Sequence, residues 1–562
     1  VSTQDGQTTH RTSELKPKGG LQGLRHAKHD LLAGFQVALL ALSFSLGIAQ
    51  ASGVAPVAGL VTIVTMGFAA SILALTTNRG PYLTICGAAA GLTTIIAGTI
   101  EHFSGPGWDP TRAFGTLCAL GCLSGLIQIT LAKCKLAGRI GGLFPATVIH
   151  AMLAAIGAII IVKQLAPIMG LSTHGHTFWE MIYLLPEEIQ ESQKIILVLS
   201  LICLALVFAL DTKRAQSILP VPAVITIVVL GSAAGFLLHI HGAHLVSIPT
   251  FHPQRWFAVP DFANLGRDPA GSLSLLAQLT LVGTIEAVAT GKAIDGKDVY
   301  GRKTSADALT LGIGLANTFG AFLGAIPGIP GGVKSGANAQ AGARTQWSAF
   351  FCAAFMLVFM AFGRPVVNLI PKAVLATVLI YIGWRLCKPA VWQHAAYIGR
   401  EQLIVFATTF FTTISTDLLV GIGVGILSEL VVTAYFVKKY AEPDALVFAT
   451  LVGFWRNPVE KIDFQPEAGM FHIHLAKHVT AFNHRYLTEA LAQAPKEATA
   501  VKMHFRKVTL VDHTAAVELR AFAEEVRESG RDVYGYERAM DIHLKRISLD
   551  PTALRVRPTV TP

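Results

Sequence analysis

Two ionisable residues stand inside apolar stretches that would ordinarily exclude them. Glu286 lies in the run 272–292 and Lys334 in the shorter run 333–343. Each costs roughly 2.5–3.5 kcal/mol at the centre of a bilayer on insertion scales. Such residues face the protein interior, where they can serve transport. Thr290 follows Glu286 by four residues, on the same helix face. A carboxylate and a hydroxyl stacked this way, near the carbonyls of a broken helix, suit Na⁺; the carboxylate alone suits a carried proton. Glu286, Thr290 and Gly332 form the expected coupling-ion set. The alternative is a structural ion pair between Glu286 and Lys334. The backbone supplies the second kind of chemistry. One apolar run is interrupted after Gly80-Pro81, the other after Ile326-Pro327-Gly328-Ile329-Pro330-Gly331-Gly332. The first turn of a helix has unpaired N–H groups and a partial positive charge. Two such ends, at Cys86-Gly87-Ala88 and Val333-Lys334-Ser335, would hold an anion between them. Gly87, Gly331 and Gly332 let a ligand approach the backbone, and Lys334 adds a full positive charge.

The chain that positions these groups is a membrane chain. Of 562 residues, 52% are apolar and only 14% charged, against about 25% charged in a soluble domain. That excludes a single soluble globule and a disordered chain. The net charge of +10 fits basic cytoplasmic loops better than nucleic-acid binding. A spanning helix needs about 20 apolar residues. Candidate spans are 31–50, 56–76, 82–100, 113–132, 143–163, 194–211, 218–238, 272–292, 306–325, 333–343, 346–362, 368–386, 402–416 and 418–437. With both termini cytoplasmic, the inner loops carry Arg79, Lys133, Lys135, Arg139, Lys213, Arg214, Lys297, Arg302, Lys303, Arg385, Lys388, Lys438 and Lys439, as the positive-inside rule asks. Leu143-Phe144-Pro145 with Gly157 repeats as Leu369-Ile370-Pro371 with Gly383. These pairs fall in spans five and twelve, and the interrupted spans are three and ten. The common offset of seven makes the halves inverted repeats, whose short, broken spans mark a transporter's binding site.

The expected fold is therefore an all-α polytopic membrane domain with 14 spans in a 7+7 inverted repeat, half-helices at spans 3 and 10, and a small cytoplasmic α/β domain. Residues 1–30 read as a cytoplasmic tail, 31–440 as the transmembrane domain, 441–550 as the soluble domain and 551–562 as a second tail. In the soluble part, Phe471–Leu475 and Thr499–Phe505 read as strands. Asn483 would cap a helix running to about 493, Thr514–Ser529 would be a helix ended by Gly530, and Val533–Tyr536 a third strand.

Other clusters carry less. Cys118 and Cys122 share a helix face, where packing is the expected role. His239, His241 and His244 could hold a metal, but a solvated loop is the preferred reading. His150, within a span, reads as a packing residue. There is no Walker A motif, which argues against an ATP-driven pump. No nucleophile–base arrangement points to an enzyme.

These residues resemble the SulP family of anion transporters (sulfate permeases and bicarbonate transporters) over almost the whole chain. The resemblance is carried by Gly283-Thr284-Ile285-Glu286-Ala287-Val288-Ala289, by Gly314-Leu315-Ala316-Asn317, and by the stretch from Pro327 through Asn338-Ala339-Gln340-Ala341-Gly342-Ala343-Arg344-Thr345. The C-terminal domain is similar to a STAS domain. Its Asp512-His513-Thr514 stands at the loop that carries a phosphorylatable hydroxyl in some relatives. The resemblance implies a core of spans 1–4 and 8–11 moving as an elevator against a gate of spans 5–7 and 12–14, in a homodimer. It implies that Glu286 and Thr290 occupy the positions that hold Na⁺ in bicarbonate-transporting members, or couple protons in others. Lys334 and Ser335 stand where the family has Arg-Ser or Arg-Thr, and Cys86, Gly87 and Ala88 where the third-helix end faces the anion. Departures are Ser43 for a first-span proline, the lack of hydroxyls in Cys86-Gly87-Ala88-Ala89, and a short C-terminal domain. Lysine at 334 is a point charge, without arginine's two-pronged grip.

The expected function is secondary active transport of bicarbonate or sulfate, coupled to Na⁺ or H⁺, in a bacterial inner membrane, with no cofactor beyond Na⁺ and no nucleic-acid partner. Dicarboxylate or nucleobase transport on the same fold is one alternative. An anion sensor or scaffold signalling through the soluble domain is another, for which the rival explanation of Thr514 is simple helix capping.

Overall fold

The computed structural model describes residues 17–76, 80–105, 107, 109–138, 145–172, 177–212, 223–246, 259–295, 297–416, 418–440, 442, 446–491, 493–495, 497–528, 530–534 and 536–557. The tail 1–16, Leu143 and Phe144 of the repeat, and the loop residues Arg79, Arg139, Lys213 and Arg214 lie outside them. The chain divides into two compact units, Val1–Gly138 with Ile156–Arg385, and Arg139–Ala155 with Leu386–Pro562.

Helices occupy each of the fourteen predicted segments, from Ala27–Ala51 and Pro56–Thr76 to Leu418–Tyr440. Six described helices are long and apolar enough, by length and composition, to cross a bilayer; Arg112–Lys133 and Pro269–Asp295 are two of them. In the first unit, close helix crossings need glycine. A Cβ on Gly383 would lie 2.6 Å from the Gly157 carbonyl oxygen, so the two repeat glycines meet at one crossing. The helix Phe178–Glu191 is an addition to the sequence reading; its start is set by a capping box of Thr177 and Glu180.

The two interrupted spans are not helical throughout. The third becomes helix only at Ala90–His102, after an extended stretch containing β1 (Cys86–Gly87). The tenth becomes helix at Gly332–Gln340, after β2 (Ile329–Pro330). The strands pair antiparallel, Cys86 with Pro330 and Gly87 with Ile329, as segments from inverted halves should. Proline cannot donate to a helix ladder, and Pro81, Pro327 and Pro330 keep these stretches extended.

The second unit contains the helices Pro389–Ile398, Arg400–Ser415 and Leu418–Tyr440, then the C-terminal sheet domain, the part expected to be soluble. Its sheet has the order β3 (Val459–Gln465), β4 (Met470–Val479), β5 (Ala500–Val511), β8 (Arg555–Val556), β7 (Lys545–Arg546), with β6 (Asp532–Tyr534) also paired to β5. β5 runs parallel to β4 and β6. Alternation puts Phe471, Ile473, Leu475, Val501, Met503 and Phe505 in one core, with Leu519, Phe522 and Val526 of the helix His513–Glu528. Three local expectations are corrected. Tyr536 opens a helix, Tyr536–His543, rather than ending a strand. Asn483 accepts from the Thr480 N–H (2.8 Å) and donates to the Arg456 and His478 carbonyls, so it pins a loop instead of capping a helix. Thr514 lies inside the helix His513–Glu528 and does not cap it. Asp512 does, accepting from the Ala515 N–H at 2.7 Å.

Candidate functional site

The interrupted stretches must satisfy their backbone groups without water or helix ladders, since each unpaired group in hydrocarbon costs several kcal/mol. They do so by reaching across to each other and to neighbouring side chains. The Gly331 N–H donates to the Ile85 carbonyl at 3.0 Å. The Ser335 hydroxyl accepts from the Ile85 N–H at 2.9 Å, and Asn338 Nδ2 donates to the Leu83 carbonyl at 2.8 Å. On the other stretch, Asn317 Oδ1 accepts from the Gly328 N–H (2.8 Å) and Thr62 Oγ1 from the Ile326 N–H (3.0 Å). The motif Gly314-Leu315-Ala316-Asn317 thus holds a backbone bend.

Lys334 closes the arrangement. Its side chain is buried, and Nζ donates to the Ala88 carbonyl at 2.5 Å. A Cβ on Gly87 would lie 3.1 Å from Nζ, and one on Gly331 would lie 2.5 Å from Cε. Gly331 leaves room for the lysine stem, whereas a Cβ on Gly87 would first meet Ile63. The thiols of Cys352 and Cys86 are its electrostatic neighbours. Among the described residues no carboxylate forms an ion pair with Lys334. The alternative of a Glu286–Lys334 pair is therefore not what this structure contains.

Glu286 sits elsewhere. Its helix, Pro269–Asp295, runs unbroken through it. Its carboxylate lies against Gly91, where a Cβ would overlap it. Gly91 belongs to the first turn of Ala90–His102, so the acid approaches the positive end of the first half-helix. Oε2 is buried and without a hydrogen-bond partner among the described residues, as is the Thr284 hydroxyl two residues earlier. Thr290 lies one turn further on the same helix, partly buried. Gly332 opens the second half-helix, and a Cβ there would meet nothing within 4 Å. Gly332 itself is exposed, and Val333 after it is partly buried.

The structure thus brings Cys86, Gly87, Ala88, Lys334 and Ser335 together through the β1–β2 pair. The helix ends that offer N–H groups begin at Ala90 and Gly332, whereas Cys86 and Gly87 run extended. Sequence reading overlooks Gly91. The available signal is a glycine just inside a half-helix, where a neighbouring acid must fit. It also overlooks Glu429, fully buried in Leu418–Tyr440 with Oε2 unpartnered and Oε1 3.5 Å from Gln402 Nε2.

In the soluble domain, Asp512 accepts from both the Ala481 and Ala515 N–H groups at 2.7 Å, yet burial raises its carboxyl to about 6. Burial also lowers the His513 imidazole, which meets the Thr552 carbonyl at 3.0 Å. The Thr514 hydroxyl is buried and accepts from the Ala146 N–H at 3.0 Å. His244 meets Gln193 at 3.3 Å. Among the described residues no group of three or more His, Cys, Asp or Glu is placed to hold a metal ion. His174, His176 and His252 lie outside the described residues.

A charged bridge between two half-helices and an acid at one of their ends is a transporter's arrangement, and comparison with known proteins decides the lineage. Residues 27–409 match the sulfate permease family. The chain belongs to that family. Among curated relatives of this sulfate permease family member is the bicarbonate transporter BicA of Picosynechococcus sp., 25% identical over 73% of this chain and 70% of its own. The putative sulfate transporter YvdB of Bacillus subtilis is 23% identical over 75% of each chain. The fold matches the transmembrane domain of a cyanobacterial BicA with a TM-score of 0.62 at 22% identity, covering 74% of this chain and all of that one. It matches SLC26A9 with a TM-score of 0.61 at 15% identity, over 95% of this chain and 89% of that one. As a member of the sulfate permease family the protein is an integral, multi-pass membrane anion transporter and not an enzyme. The small C-terminal sheet domain is consistent with the STAS domain expected of it.

Proposed function

We propose that the protein is a secondary active transporter that carries bicarbonate or sulfate inward with Na⁺ or H⁺. The observation that carries this reading is the position of Glu286. Its carboxylate and a transported anion would both draw on the positive end of Ala90–His102. Two like charges about 6 Å apart, at an effective dielectric near 20, repel by about 3 kcal/mol. That is a factor of roughly 100 in affinity. A proton or Na⁺ at Glu286 removes the repulsion and completes the unpartnered Oε2. Cation therefore helps anion, and by linkage anion helps cation to the same degree. Thr290 and Gly332 complete the cation side, while Cys86, Gly87, Ala88, Val333, Lys334 and Ser335 surround the anion. Lys334 supplies the point charge and keeps the half-helices together.

The cycle is an elevator movement of spans 1–4 and 8–11, carrying both half-helices, against spans 5–7 and 12–14. The protein works as a homodimer in a bacterial inner membrane, with both termini in the cytoplasm. The names of the relatives, a bicarbonate transporter and putative sulfate transporters, support the two candidate anions. The test is tracer uptake into proteoliposomes under a Na⁺ or a proton gradient. Unlabelled bicarbonate, sulfate, fumarate and uracil serve as competitors. Competition by bicarbonate or sulfate is expected; competition by fumarate or uracil alone would contradict the reading.

A further inference from the structure

The second unit contains a cavity of about 240 Å³ that the transport reading does not use. It opens between the start of the helix at Ala146, the short helix Pro389–Ile398 and the beginning of Arg400–Ser415. Three basic side chains from two parts of the chain line it: His150, and Lys388 with His394. Val391, Ile398 and Phe406 give it an apolar remainder. His150, expected to be a packing residue, is therefore a cavity-lining group.

Among the described residues the ionisable groups in the wall itself are all basic, and no carboxylate lines it. Lys388 forms no ion pair among the described residues. His150 and His394 are electrostatic neighbours, and His513 is a neighbour of both. The acid that faces His394 and His513 is Asp550. Its Oδ1 is already taken by the Thr552 N–H (2.6 Å) and hydroxyl (2.5 Å). Thr147, also in the wall, gives its hydroxyl proton to Gln402 Oε1 at 2.5 Å. It therefore presents only acceptor lone pairs, and Lys388 and the two imidazoles are the donors. Lys388 carries a full positive charge with no ion-pair partner among the described residues, and a negative ligand would pair with it.

The location narrows the ligand. Lys388 directly follows the apolar helix Lys372–Cys387 and precedes Pro389–Ile398. Ser548 of the soluble domain donates to the Ile398 carbonyl at 2.6 Å. The cavity thus lies where hydrocarbon-spanning helices give way to a water-exposed domain, at the depth of lipid headgroups. Basic pockets at that level suit phosphate-bearing groups. We propose that this cavity binds a phosphate group, with Lys388, His150 and His394 on its oxygens and the apolar wall against the carbons of an ester. The group belongs to an anionic phospholipid headgroup or to free phosphate. The proposal does not depend on which anion crosses the membrane.

The test uses full-length protein in nanodiscs of phosphatidylcholine, read by its apparent melting temperature. One arm replaces a quarter of the lipid by phosphatidylglycerol; the other adds inorganic phosphate, with sodium chloride at equal ionic strength as the control. A ligand that binds only the folded state raises the melting temperature. A rise of several degrees is expected in at least one arm, reduced by more than half in K388Q and H394Q and kept in K388R. A rise with phosphatidylglycerol alone assigns a lipid headgroup, and a rise with phosphate assigns a free ion. No rise in either arm beyond the chloride control, or equal rises in wild type and K388Q, would overturn the proposal. Lys388 is exposed, so K388Q should fold and can carry the test alone if H394Q does not.

Discussion

The carboxylate of Glu286 occupies the space that a side chain on Gly91 would fill, at the first turn of the third-span half-helix. Because residue 91 has no side chain, an acid from the eighth span can reach a helix end in the third.

That relationship predicts the behaviour of Gly91→Ala. The added methyl would overlap the carboxylate, and overpacking of this kind costs about 1–3 kcal/mol. Cation-stimulated anion uptake should fall at least tenfold, with protein yield little changed. Uptake in proteoliposomes with and without a cation gradient measures this; stimulation equal to wild type would show that the contact is dispensable.

Lys334→Ala removes a buried charge and its bond to the Ala88 carbonyl. Hydrogen bonds to charged groups contribute about 1.5–3 kcal/mol. Anion affinity should fall roughly ten- to hundredfold, measured by titrating substrate in a binding or uptake assay. Unchanged affinity would move the anion away from the β1–β2 pair.

Much of this organisation is legible in the sequence, because its determinants are local. Apolar runs mark the helices, and Pro81, Pro327 and Pro330 mark where two of them break. Glu286 and Lys334 are conspicuous because charge is scarce in those runs. What is not legible depends on partners distant in the chain. Nothing near Lys334 announces that its Nζ will reach the Ala88 carbonyl, 246 residues away. Gly91 looks like one more small residue until the acid of another helix is placed on it. Thr514 looks like a helix cap because its own helix follows at once. The cap is Asp512, and Thr514 instead accepts from Ala146. Glu429 is overlooked because hydropathy registers depth in a span, not the neighbours waiting there.

Asp512→Ala should weaken the soluble domain. It removes a helix cap and the acceptor for the Ala481 N–H. A lost cap costs about 1 kcal/mol, up to about 2. Thermal unfolding of the full-length protein should begin several degrees earlier, whereas Asp512→Asn, which keeps an acceptor, should recover part of the loss. No shift in Asp512→Ala would refute the capping role.

The outer face of β4 and β5 predicts a pH dependence. His474 and His504 stack with ring centroids 4.2 Å apart, and His472 Nδ1 lies 2.8 Å from His504 Nε2. Burial, then His474, His472 and Lys502, push the His504 imidazole down to about 4 from 6.5. The unfolded chain therefore takes up a proton that the folded chain refuses. Stability is lost as pH falls from about 6.5 toward 4 and is complete above that window. His504→Gln should flatten the decline in melting temperature between pH 7 and pH 5; a slope as steep as wild type would contradict the assignment.

The most direct measurement is uptake of labelled bicarbonate or sulfate by proteoliposomes containing wild type or Glu286→Gln, driven in turn by a Na⁺ gradient and a proton gradient. The account predicts that the variant folds, still binds or exchanges the anion, and no longer responds to either gradient. Retained acceleration by both gradients in Glu286→Gln would show that the coupling charge lies elsewhere.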